Sequence, residues 1–214
     1  GTIVDDNVDN ETATHGANLN MKIIYIVIGS LGLIGNVIVL IVMLSSKKLR
    51  SKTTNKFIIN QSFIDTSTSL ILITSTLFDD INTVPKGLPA HIFCVLWMSK
   101  FFLWSMLVTS TYNLVAMTIE KYFAILYSFK HMEFFTKGRM KIVLGMIWLI
   151  GPFWNLYLAI TTTVTYEQCS VYSEWNPPES QTIFGICVVV FQWFVPIVIM
   201  VICYGRIAWF VHTN

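Results

Sequence analysis

Asp65 is the residue whose position most demands an explanation, because a carboxylate stands about eight residues into a stretch otherwise suited to a lipid bilayer. A charge at the centre of a membrane helix costs about 2.5–3.5 kcal/mol on insertion scales, so Asp65 must turn toward protein and needs a polar neighbour. Asn36 and Ser110, each at mid-depth of another apolar stretch, are the candidates. Two chemistries are open to such a group. One is interhelical hydrogen bonding, worth about 0.6 kcal/mol on average. The other is an ion or proton site whose occupancy biases a conformational equilibrium. A second cluster, Glu120, Lys121 and Tyr122, closes an apolar stretch. There the acid can pair with the base beside it, or the lysine can snorkel toward water as lysines at helix ends do. Four cysteines complete the reactive set. Cys94 and Cys169 flank apolar stretches, whereas Cys187 and Cys203 lie within one and read as small apolar fillers; the spacing of the last two matches no zinc pattern, and no metal site is expected. Nothing assembles a nucleophile, a general base and an orienting group, so no enzyme is expected.

These residues must be carried by membrane helices. Hydrophobic residues make up 54% of the chain and charged residues 12%, against roughly 25% charged in a typical soluble domain. A bilayer core about 30 Å thick takes about 20 apolar residues per helix, and five stretches qualify: Ile23 to Leu44, Phe57 to Phe78, Phe93 to Tyr122, Ile142 to Thr163 and Thr182 to Tyr204. The expected fold is all-α, a polytopic transmembrane bundle spanning 23–214 behind an amino-terminal tail of 1–22. Basic residues gather at Lys47, Lys48, Arg50, Lys52 and Lys56, and again at Lys121, Lys130, Lys137, Arg139 and Lys141. By the positive-inside rule those loops are cytoplasmic. The other side carries Asp5, Asp6, Asp9, Glu11, Asp79, Asp80, Glu167, Glu174 and Glu179. The amino end is then outside and, after five spans, the carboxyl end inside. Cys94 and Cys169 share the outer, oxidising side and can be brought together there as a disulfide. Asn10, Glu11 and Thr12 form a glycosylation triplet on the same side. The charge pattern offers no surface for nucleic acid; the bilayer is the first partner. Pro152 and Pro196 should kink or bulge spans four and five. Leu103, Leu107, Ser110, Leu114, Met117 and Lys121 recur at helical spacing and are read as the inward face of span three.

In order and spacing these features resemble the rhodopsin-like (class A) family of G-protein-coupled receptors. The resemblance is carried by Gly35, Asn36 and Val39 in span one, Asn60 and Asp65 in span two, and Cys94 at the head of span three with Glu120, Lys121 and Tyr122 at its foot. Trp148 in span four, Cys169 in the second outer loop, and Pro196 with Tyr204 in span five continue it. The run from Trp104 and Ser105 through Ser110, Thr111, Tyr112, Asn113 and Leu114 also looks like a group of invertebrate orphan and peptide-type receptors. The resemblance implies five spans of a seven-helix receptor fold, with spans six and seven lying beyond Asn214. Gly1 in place of Met implies a chain processed, trimmed or incompletely recorded.

The same resemblance implies roles. Asp65, Ser110 and Asn36 would hold a structural sodium ion, no other cofactor being expected. Glu120, Lys121, Tyr122, Phe129 and Tyr204 would form the cytoplasmic switch and the contact with a heterotrimeric G protein. Lys100, Leu103, Trp104 and Gln192 would line the ligand pocket. Departures are informative: Lys121 stands where the family has Arg, keeping the charge without the planar fork, and Ser128 stands where Pro is common. Cys94 precedes Lys121 by two residues more than usual, so the outer end of span three should be longer or bulged. Leu103 occupies the position at which amine receptors carry Asp, and Val188 and Val189 those where catecholamine receptors favour serines, which disfavours a cationic amine and leaves a peptide as the preferred ligand. The competing class is a membrane transporter or channel with Asp65 on an ion pathway, although no repeated half-structure of the transporter kind is found. Charge placement makes its own prediction: an epitope before Ile23 should bind antibody on intact cells and one after Asn214 only after permeabilisation, the reverse labelling overturning the assigned orientation.

Overall fold

In the computed structural model the described residues are 2–78, 88–165, 168–170 and 178–213, with the side chains of 2–17, 53, 88, 90, 164, 165, 168, 170 and 178 excepted. Asp79, Asp80, Lys86, Glu167 and Glu174 lie outside them, as does the side chain of Asn10. Helix α1 runs Thr2–Ser45 and includes the segment read as a tail; between residues 2 and 22 there is no proline and a single glycine, Gly16, so nothing in the sequence interrupts the helix. Its apolar portion is Asn18–Ser45. A short turn, α2 (Lys47–Ser51), is capped by Ser46 and leads into α3 (Thr53–Leu77). Helix α4 (Leu88–Phe93) passes through a π-helical turn, Cys94–Met98, into α5 (Phe101–Leu126). Then follow α6 (Ser128–Phe134), α7 (Lys137–Thr161), a hairpin of β1 (Thr163–Thr165) and β2 (Gln168–Ser170), α8 (Pro178–Val189), a second π turn at Val190–Phe194, and α9 (Val195–Thr213).

Among the described residues four helical segments are long and apolar enough to cross a membrane: Asn18–Ser45, His91–Leu126, Lys137–Thr161 and Glu179–Thr213. Helix α3, the expected second span, has the length but not the apolarity, because Asn60, Gln61, Asp65 and a run of Ser and Thr occupy it. Packing explains why that is tolerated. Helix α3 lies against α1 on one side and α5 on the other, with α7 and α9 completing the contacts of α5. The bundle is polar inside and apolar outside. Ser62, Ser69, Thr109, Asn113, Thr118 and Asn155 are buried, whereas Ile142, Leu149, Phe153, Leu156 and Ile160 along α7 and Ile183, Ile186, Phe194 and Val201 along α8 and α9 are exposed. In lipid this arrangement is the stable one, since apolar side chains gain little by leaving hydrocarbon and small or polar ones pack helix against helix.

That inversion corrects one expectation. The stripe from Leu103 to Lys121 faces inward only in part: Ser110 meets Asp65 and Met117 packs beside Phe57, Met140 and Ile147, but Leu114 is exposed, and the buried residues of α5 are Ser105, Val108, Thr109, Asn113, Val115, Thr118 and Glu120. Apolarity points inward in water, but in a bilayer the small and polar positions do. The two π turns answer other expectations. Pro196 is preceded by the Val190–Phe194 bulge, which adjusts the backbone just before a residue that cannot donate a hydrogen bond. At the outer end of span three, the π turn at Cys94–Met98 and Lys100, held in the left-handed region at φ 55°, absorb the extra residues between Cys94 and Lys121. Cys94 is fully buried and bridged to Cys169, with Cα atoms 5.7 Å apart, within the usual range. Cys169 pairs with Val164 across the hairpin, so the bridge fastens the outer loop to span three.

Helices α5 and α7 approach most closely at Gly151, where a Cβ would collide with the Thr109 hydroxyl and the Ser105 carbonyl oxygen. The backbone carbonyl cannot step aside as a flexible side chain could. Gly151→Ala should therefore destabilise the protein by about 1–3 kcal/mol, read as a lowered Tm in detergent, whereas Gly145→Ala on the same helix, which meets nothing within 4 Å, should leave Tm unchanged.

Candidate functional site

Polar side chains from α3, α5 and α7 form one connected chain of hydrogen bonds through the bundle. Trp148 Nε1 on α7 donates to Asn60 Oδ1 on α3 at 2.9 Å. Asn60 Nδ2 donates to Asn113 Oδ1 on α5 at 2.9 Å. Asn113 Nδ2 returns to α3, donating to Gln61 Oε1 at 2.8 Å and to the Phe57 carbonyl at 3.1 Å. Gln61 Nε2 then donates to both Asp65 carboxylate oxygens at 2.9 Å and lies 2.6 Å from Ser110 Oγ. Ser110 Oγ donates to Asp65 Oδ1 at 2.8 Å. Helical spacing makes this possible: Gln61 and Asp65 are one turn apart on α3, and Ser110 and Asn113 one turn apart on α5. Ser110 thus meets Asp65, but Asn36 does not join them; its Nδ2 bonds the Gly32 carbonyl of its own helix at 2.9 Å.

A second node closes the bundle at the foot of α5. Glu120 is 1% exposed, and its Oε1 accepts from Thr54 Oγ1 at 2.7 Å and faces His131 Nε2 at 2.7 Å. His131 stacks on Phe135, with ring centroids 5.0 Å apart. Glu120 makes no ion pair with Lys121 among the described residues, consistent with adjacent helical residues pointing in different directions. Tyr122 packs on Phe123 and Tyr127. Phe129 on α6 is 86% exposed, and Tyr204 on α9 is also exposed. At the outer end, Lys100 and Leu103 share a crevice of about 30 Å³ with Ser75 and Trp97, room for a water rather than a ligand side chain. Trp104 faces outward, and Gln192 is buried in the second π turn, so these four residues do not form one cavity among the described residues.

Comparison with known proteins bears on the whole arrangement. Residues 35–214 match the family described as 7 transmembrane receptor (rhodopsin family). The chain belongs to that family. It is 27% identical to the cholecystokinin receptor of Xenopus laevis over 201 residues, which is 89% of this chain and 43% of that receptor. It is also 27% identical to human galanin receptor type 1 over 207 residues, 91% of this chain and 56% of the relative. The pyroglutamylated RF-amide peptide receptor of Rattus norvegicus is 27% identical over 188 residues, 84% of this chain and 42% of the relative. The chain spans about half the length of these curated relatives. The transporter or channel reading finds no support among them.

Within this member of the rhodopsin family, the sequence reading missed four residues of the two nodes as functional groups: Gln61, Asn113, Thr54 and His131. The first two carried a signal in retrospect, being polar and one turn from residues already singled out. His131 carried none, because it reaches Glu120 only through the folding back of α6. The expected sodium ion can be tested against the donor set. Asp65 and Ser110 offer oxygen ligands, but the third group at the same point is the Nε2 of Gln61, a hydrogen donor, and Asn36 is engaged elsewhere. Among the described residues, Asp65, Ser110 and Asn36 do not converge as three oxygen ligands.

Truncating the chain of hydrogen bonds should be felt in proportion to the groups left unsatisfied. Trp148→Phe removes one donor and should lower stability by about 1 kcal/mol, while Asn113→Leu strands amides of Asn60 and Gln61 together and should reach about 2–3 kcal/mol. Thermal unfolding of the two variants and their double mutant checks this. Full additivity would argue against a connected network.

Proposed function

We propose that the protein is a plasma-membrane receptor for an extracellular peptide that signals to a heterotrimeric G protein, its amino end outside and its carboxyl end in the cytoplasm. The observation that carries this reading is the family match across 35–214, joined by relatives whose names denote cholecystokinin, galanin and RF-amide peptide receptors. Leu103, where an amine receptor of this family would carry a carboxylate, agrees with a peptide and not with a cationic amine. Lys100, Leu103, Trp104 and Gln192 are the residues assigned to the ligand side.

On the cytoplasmic side the assignment rests on Glu120, Lys121, Tyr122, Phe129 and Tyr204. The Glu120 carboxylate, held by Thr54 and His131, anchors α6 so that Phe129 projects into solvent as an apolar contact for the G protein. Freed from pairing with Glu120, Lys121 supplies a positive charge at the foot of span three. A ligand acts by binding the active arrangement more tightly than the resting one, and the anchored loop is an element on which such a difference can act.

The test uses the receptor expressed from its complete transcript, a library of neuropeptide-class ligands, and nucleotide exchange on purified G proteins. A responding peptide should lose most of its exchange activity with Phe129→Ala and Lys121→Ala while its binding to surface receptor changes by less than about threefold. Exchange driven by an amine but by no peptide would overturn the ligand class, and equal loss of binding and exchange would overturn the role of these two residues.

A further inference from the structure

The chain of hydrogen bonds from Trp148 to Asp65 has a direction, and both ends enforce it. An indole N–H can only donate, so Asn60 must present its oxygen to Trp148 and its nitrogen to Asn113. Asn113 then presents its oxygen to Asn60 and its nitrogen to Gln61, an orientation fixed a second time by the Phe57 carbonyl, which can only accept. Gln61 must therefore present its oxygen to Asn113 and its nitrogen to Asp65 and Ser110. The far end is a carboxylate, which when ionised can only accept. No amide in the series can turn over without placing donor against donor or acceptor against acceptor.

We infer that the Gln61 amide, held in this orientation by Asn113, Asn60 and Trp148, is the built-in counter-group of Asp65 and excludes a monovalent cation from the Asp65 and Ser110 site. Gln61 Nε2 is 2.9 Å from both carboxylate oxygens and 2.6 Å from Ser110 Oγ, so the nitrogen sits at the point from which a cation would reach Asp65 and Ser110 together. If the amide merely rotated in place to offer Oε1 as a ligand, its nitrogen would face the Asn113 Nδ2 donor. Asn113 is itself fully buried and cannot follow, because its nitrogen is also bound to Phe57 and its oxygen to Asn60. Admitting the cation thus requires breaking the hydrogen bonds that Gln61 makes to Asp65, Ser110 and Asn113 across α3 and α5. Asp65 is stabilised by aligned dipoles from within the bundle, and its environment depends on how α3, α5 and α7 are packed rather than on the ionic composition outside. Gln61 is the residue that determines this selectivity.

The proposal is independent of which ligand or G protein the receptor uses, and its test needs neither. The receptor, expressed from its complete transcript and solubilised in detergent, is melted in sodium, potassium and choline chloride at one ionic strength. The wild type should show the same Tm in all three salts. Gln61→Leu and Gln61→Met, which remove the amide but keep the bulk, should each gain a sodium-specific rise of about 3 °C at sodium tenfold above its Kd, and adding Asp65→Asn should abolish it. A sodium-specific rise in the wild type that is lost in Asp65→Asn would overturn the inference without reference to the Gln61 variants. Folded Gln61→Leu or Gln61→Met receptor with no sodium response would also overturn it, since the amide would then not be what keeps the cation out.

Discussion

A carboxylate inside an apolar bundle must be satisfied by the bundle itself, and the packing of three helices follows from how Asp65 meets that requirement. Water is not at hand in a bilayer core to solvate it, so every donor must come from a neighbouring side chain. Gln61 supplies one from the preceding turn of the same helix and Ser110 one from α5. Those donors bring their own acceptors, which need partners in turn, and the demand passes outward through Asn113 and Asn60 until the indole of Trp148, a donor with no acceptor, ends the series. The least apolar helix, α3, is accordingly the one packed between α1 and α5 rather than turned to lipid.

The same logic shapes the foot of α5 with different chemistry. Glu120 is almost fully buried, and its neighbours are Thr54 at the start of α3 and His131 on α6. One carboxylate thereby ties together the foot of α5, the entry of α3 and the short helix of the second inner loop. Beside it the apolar cluster of Phe57, Met140 and Ile147, flanked by Ala116, Met117 and Phe135, closes this end of the interior. Aromatic packing of Tyr122, Phe123, Tyr127 and Phe134 extends the seal into the loop. The outer end is held covalently: the bridge from Cys94 to Cys169 fastens the hairpin to span three. Tied together at both ends, the bundle leaves its exposed apolar surface to the lipid.

Composition and hydrophobic run length determined the class of the protein, because only a bilayer stabilises a chain this apolar, and helices that long must cross it. The order of Asn36, Asp65, Cys94, Glu120 to Tyr122, Trp148, Cys169 and Pro196 determined the family, and the extra spacing before Lys121 announced a bulge that the π turn and the left-handed Lys100 supply. Other features were decided only in three dimensions. The inward face of α5 could not be read from apolarity, since lipid outside removes the free-energy difference that makes apolar residues turn inward in water. The hairpin, the turn of Glu120 toward His131 and away from Lys121, and the separation of Asn36 from Asp65 depend on where helices lie relative to one another. Above all, the direction of the hydrogen bonds ending on Asp65 belongs to the tertiary structure. Residue types state what each group can donate or accept, but only packing α3, α5 and α7 together connects the donor-only indole to the acceptor-only carboxylate and so orients every amide between them.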